Sequence, residues 1–81
     1  MELELIDGQF TSSEAISIIT QMIHVKIKFH ESKIENNSNE EDVKMRERKI
    51  KRLQKELYEV RHEIENSSGM LVMHSNITLT A

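Results

Sequence analysis

The chain contains no cysteine, no proline and no tryptophan, and only two glycines and three other aromatic side chains among its 81 residues. Without cysteine it can form neither a disulfide nor a thiolate zinc site, which are the usual staples of very small folds. A chain of this size buries only about 60 to 65% of the surface that its unfolded form exposes, so its core is marginal and association with another chain is the remaining stabilising device. The lack of cysteine fits a reducing compartment. The opening Met1-Glu2-Leu3-Glu4-Leu5-Ile6-Asp7-Gly8 has neither the basic nor the apolar region of a secretory signal. A cytoplasmic location is therefore expected, and apolar runs of a few residues, against the ~20 needed to cross a bilayer, make no membrane span expected.

The missing proline leaves nothing to interrupt a helix in mid-chain. Gly8 and Gly69 stand near the two ends, and the one internal break is Asn36-Asn37-Ser38-Asn39. Those side chains compete for backbone hydrogen bonds and favour turns and caps over helix interiors.

Thr11 and Glu14 have capping-box spacing, and Phe10 is placed to staple onto Ala15, so a first helix is predicted over residues 12–35. Ala15, Ile16, Ile19, Met22, Ile23, Ile27, His30 and Ile34 recur at three- and four-residue spacing along it. Ile18, Val25 and Phe29 lie off that stripe, and a helix apolar on more than one side needs more than one neighbour. Ser38 and Glu41 suggest a second capping box, with Glu40, Glu41 and Asp42 placing negative charge at the positive end of the helix dipole. The second helix is predicted over residues 39–66 after a turn at 36–39. Val43, Ile50, Leu53, Leu57, Val60 and Ile64 fall on a and d heptad positions there, and Arg46 occupies the one d position out of pattern.

Alternating apolar and polar residues predict short strands at about 2–6 and 70–80, with Asp7 in a turn. An antiparallel helical hairpin brings those ends together. The expected fold is thus mainly α, a coiled-coil-like two-helix hairpin with terminal strands in β-α-α-β order, dimerising into a four-helix bundle.

The residues that could carry chemistry point away from catalysis. Neither His30-Glu31 nor His62-Glu63 is followed by a second histidine at the spacing of a zinc-protease helix, because Ile34 and Asn66 stand there. No phosphate loop or nucleotide-binding glycine fingerprint occurs, and serines and threonines cluster in caps, turns and the C-terminal segment. No enzyme activity, cofactor or metal is expected. His30 and Arg46 come opposite each other if facing residues sum to about 77. There they either form a polar layer that fixes register or reach water where the hairpin frays.

The competing functional signal is a basic block, with Lys44, Arg46, Arg48, Lys49, Lys51, Arg52 and Lys55 against the single Glu47. Lys44, Arg48, Lys51 and Lys55 fall on an outer stripe that suits phosphate contacts. Seam residues Ile50 and Leu53 lie inside the block, acids flank it, and no side-chain array shaped for base readout accompanies it, so a solvated helix face is the default. The expectation is a protein interaction or scaffold module that self-associates through Ile18, Ile19, Met22, Val25 and Phe29. A second copy is the first partner, another protein a further one, and nucleic-acid contact through the basic belt is the alternative.

Overall fold

The computed structural model describes residues 1–36 and 39–81. In it the chain runs through strand β1 (Glu2–Phe10), helix α1 (Ser12–Glu35), helix α2 (Glu40–Glu65) and strand β2 (Leu71–Thr78). The helices form a hairpin, and the strands pair antiparallel as a two-stranded ribbon.

Local chemistry sets the helix ends. Thr11 Oγ1 accepts a hydrogen bond from the Glu14 amide at 3.1 Å, and Glu14 Oε1 accepts one from the Thr11 amide at 2.8 Å, so two otherwise orphaned donors are satisfied reciprocally. At the start of α2 the cap is Asn39, whose Oδ1 accepts from the amides of Glu41 and Asp42 at 3.0 and 3.2 Å. The cap expected at Ser38 lies outside the described residues. Asn is as good a cap as Ser, and from position 39 it still leaves Glu40, Glu41 and Asp42 in the first turn. At the far end Ser67 Oγ donates to the Glu63 carbonyl at 2.9 Å and shields one of the last free acceptors.

The strands differ from their predicted bounds. β1 continues through Asp7 and Gly8 to Phe10 instead of turning after residue 6, because cross-strand pairing with Leu71–His74 supplies backbone partners that outweigh the local turn preference of Asp-Gly. Gly8 takes a φ of 155°, which a residue with a side chain rarely adopts. β2 is shorter than predicted, ending at Thr78, although Met1 and Leu79 still exchange backbone hydrogen bonds at 2.7 and 3.0 Å.

A β-bulge controls which side chains share a face. Glu2, Leu3 and Glu4 pair with Thr78, Ile77 and Asn76, whereas Ile6 to Phe10 pair with Ser75 to Leu71, so Leu5 is the extra residue. The apolar residues of β1 switch from odd to even positions at that point. Strand alternation then puts Leu3, Ile6 and Phe10 on one face with Leu71, Met73 and Ile77, and leaves Glu2, Glu4, Asp7, His74 and Asn76 on the other.

The hairpin seam buries Leu53, Ile64, Ala15 and His30, with Ile23, Ile27, Ile34, Val43, Ile50, Leu57 and Val60 half-buried between them. Beyond this seam the protein does not close. Its Cα trace measures 47 × 32 × 13 Å and is thus far from equal in its three directions. The radius of gyration of 15.4 Å exceeds the ~12 Å of a compact chain of this length. Its surface of 6485 Å² exceeds the ~5,000 Å² of a compact 9.5 kDa monomer.

Leu53→Ala should cost about 2 to 5 kcal/mol by removing a buried seam side chain, whereas Lys51→Ala on the solvent side should cost no more than about 0.5 kcal/mol. Thermal and urea melts check both. A Leu53→Ala protein melting within a degree or two of the parent would contradict the seam.

Candidate interaction surface

About three turns of α1 present an apolar line away from the hairpin seam, because Ile18, Met22, Val25 and Phe29 follow one another at spacings of four, three and four. Ile18 is half-buried, while Met22, Val25 and Phe29 are 37, 69 and 55% exposed. At its start the line joins the ribbon: Ile18 and Met22 border a groove with Leu5, Ile6 and Phe10. Ile19 points a little closer to α2 and borders a second hollow with Ala15, Val60, Glu63, Ile64 and the first residues of β2. The five candidate residues thus split, with Ile18, Met22, Val25 and Phe29 on one strip and Ile19 at the junction of hairpin and ribbon.

The strip is longer than sequence reading made it. Leu3, Leu5 and Ile77 are 43, 46 and 39% exposed and continue it along the ribbon. The sequence signal for this was the switch of apolar parity between Leu5 and Ile6, which only a bulge reconciles with the unbroken odd parity of Leu71, Met73 and Ile77.

Near the loop end His30 and Arg46 meet, with Nη1 of Arg46 3.1 Å from Nδ1 of His30. A guanidinium has donors only, so Nδ1 accepts and the imidazole is neutral there. Arg46 Nε reaches Asp42 Oδ2 at 3.2 Å, which ties α2's first turn to the buried histidine through one arginine. Phe29 packs edge-on to His30, its ring centroid 5.6 Å away, and the Lys33 ammonium and Arg46 guanidinium lie 5.6 and 5.8 Å from the Phe29 ring. Burial and the nearby charges of Arg46, Lys49 and Lys26 hold the His30 pKa below its ordinary value.

The basic belt is separate from the apolar strip. Lys44, Arg48, Lys51 and Lys55 all lie exposed on α2. Lys44 and Lys55 approach Glu40 and Glu59 at 3.9 Å, so acids of the same helix partly neutralise the line. A further group was not anticipated: Glu4, Asp7 and His74 bring oxygen and nitrogen atoms within 4.8 Å of one another on the polar face of the ribbon, and His74 Nδ1 lies 3.5 Å from Asp7 Oδ1. Glu4 and Asp7 are three apart and would fall on opposite faces of a regular strand, so the bulge creates this cluster. Pocket-like hollows elsewhere along the helices are shallow and lined by mixed polar side chains.

Among the described residues no helix is long and apolar enough to cross a membrane. No protein-family model, curated protein or solved structure matches the chain. The surface itself must therefore carry the functional argument.

His30 generates a prediction with a definite sign. Its folded pKa is depressed, so at acid pH the unfolded chain binds the extra proton more readily than the folded one. The associated stability is complete above the unfolded value of about 6.5 and is lost as pH falls from there toward the lower folded value. The melting temperature should drop between pH 7.5 and 5.5, and His30→Gln should reduce that drop. An equal drop in the variant would show that other groups cause it.

Proposed function

We propose that the protein is an interaction module whose working surface is the uncovered strip of α1, and that its first partner is a second copy of itself, two hairpins joining as a four-helix bundle. The supporting observation is the exposure of Met22, Val25 and Phe29, which are 37, 69 and 55% open on α1 away from the hairpin seam. An amphipathic helix or ribbon has to bury its apolar side against a second layer, and domains consist of at least two. Here α1 and α2 cover each other along one seam, the ribbon adjoins the strip at Ile18 and Met22, and Val25 and Phe29 stay mostly exposed.

The exposed side chains favour a partner of similar kind. Met22, Val25 and Phe29 form a row about 10 Å long at 1.5 Å per residue, which is the kind of ridge that packs into another helix. A two-fold contact needs only one sequence to be self-complementary, which makes a second copy the simplest cover.

A nucleic-acid reading draws on the belt, where Arg48 and Lys51 face solvent with no ion pair among the described residues. It is the weaker reading because Lys44 and Lys55 have acidic neighbours and the chain carries a net charge of −3.

Light scattering coupled to size exclusion at micromolar concentration should give about twice the 9.5 kDa chain mass. Ile18→Glu or Phe29→Glu should release monomers or unfold the chain, because each places a charge in the contact. A cooperatively melting species of single-chain mass would overturn self-association.

Replacing Lys44, Arg48, Lys51 and Lys55 together by Gln should leave folding and self-association nearly unchanged, and duplex DNA or RNA should bind the parent weakly and release as salt rises to physiological strength. Submicromolar, sequence-selective binding at that salt would favour the nucleic-acid reading instead.

A further inference from the structure

A two-stranded ribbon is marginally stable by itself, whereas a sheet of three or more strands with an apolar face holds together. The ribbon has that face and two outer edges, one along β1 and one along β2. The edges are not alike. β1 carries Glu2, Glu4 and Asp7, and the bulge at Leu5 breaks its regular row of backbone groups. Charges and bulges are the devices by which an edge resists a further strand. β2 has neither: Leu71–Thr78 is eight residues long and contains no Asp, Glu, Lys, Arg, Gly or Pro.

The backbone groups that β2 offers follow from its pairing. Met1 and Leu79 exchange both backbone hydrogen bonds, and such bonded pairs alternate along an antiparallel ladder. The extra residue of the bulge belongs to β1, so the alternation continues unbroken down β2. Ile77, Ser75, Met73 and Leu71 therefore bond to β1, and Val72, His74, Asn76 and Thr78 turn their amides and carbonyls outward. Among the described residues no backbone hydrogen bond from another element reaches that outward row.

Three ways of joining two copies by their edges can be compared. Joining β1 to a second β1 gathers three acids from each copy and requires two bulged edges to match. Pairing β1 with the other copy's β2 leaves a free β2 edge at the end of the sheet, so the contact repeats without closing. An antiparallel β2 to β2 pair closes on a two-fold axis and brings together the two regular edges that carry no Asp, Glu, Lys or Arg. Only the acidic, bulged β1 edges then remain outside, and addition stops at two copies.

We propose that a second copy joins edge to edge through β2, the two ribbons forming one four-stranded antiparallel sheet in the order β1-β2-β2-β1. The axis falls at His74 or Ser75 in the middle of the strand, and either setting matches outward residues with outward residues. This rests on the self-association proposed above and adds the ribbon's part in it. An axis of this kind stands perpendicular to the sheet, so the apolar faces of both ribbons lie on the same side. The α1 residues that adjoin those faces, Ile18, Ile19 and Met22, come to that side with them.

Amide exchange and single cysteines test the contact, with light scattering to establish the dimer. In the dimeric parent the amides of Val72, His74, Asn76 and Thr78 should exchange about tenfold or more slower than unprotected amides. Because the chain has no cysteine of its own, a disulfide between copies should form under mild oxidation in His74→Cys or in Ser75→Cys, whichever lies on the axis. Facing residues of an antiparallel pair have Cα atoms about 4.5–5.5 Å apart, within disulfide reach. Glu2→Cys on the β1 edge should not cross-link. Circular dichroism checks that each variant is folded, and the exchange measurement needs no variant. A monomeric parent would refute the underlying self-association. A dimeric parent whose four outward amides exchange at unprotected rates, or folded His74→Cys and Ser75→Cys proteins that both fail to cross-link, would refute the β2 contact and leave self-association standing.

Discussion

A hairpin one helix thick can shield each of its helices on one side only, and most features of this molecule follow from that constraint. The α1 to α2 seam uses the strongest apolar residues of α2, and Leu53 and Ile64 are buried by it. Among the described residues no third helix lies over the rest. The ribbon adjoins α1 at Ile18 and Met22 and ties the two ends of the hairpin together through pairing of residues more than 60 positions apart in sequence. That pairing holds the ribbon as one unit whose Leu5, Ile6 and Phe10 share a groove with Ile18 and Met22, and so joins the ribbon to the apolar strip of the helix.

Polar groups inside the seam act as position markers. His30 is buried and accepts from Arg46, which is itself held by Asp42. A one-turn slip of α2 past α1 would leave the guanidinium without its acceptor and the imidazole buried without a donor, each an unsatisfied group costing about 1–3 kcal/mol. An all-apolar seam would tolerate such a slip more easily. His30 and Arg46 also lie beside the Phe29 ring, the imidazole edge-on with centroids 5.6 Å apart and the guanidinium 5.8 Å from the ring centroid.

The bulge at Leu5 is the second such device. It turns a strand whose apolar residues change parity into a surface with one apolar face, and it does so beside the helix strip that this face extends. On the opposite face it collects Glu4, Asp7 and His74 into one polar group. A single extra residue thus sorts the two sides of the ribbon, one suited to packing and one suited to water.

Helix boundaries, the hairpin and the seam were legible from the order of residues because they rest on local rules: Thr11 with Glu14 starts α1, a run of amide side chains interrupts it, and the heptad pattern from Val43 to Ile64 marks the buried side of α2. The meeting of His30 and Arg46 was legible as well, since in an antiparallel pair facing positions have a constant sum. Tertiary structure decided what depends on pairing across long sequence separation. Asp7 and Gly8 look like a turn until β2 supplies partners for them, and the extra residue at Leu5 has meaning only once Leu3 and Phe10 are matched to Ile77 and Leu71. The sequence by itself determined that α1 has more apolar surface than one helix can cover. Only the fold decided which part remains open, because that depends on where the ribbon lies and on which side of α1 faces α2.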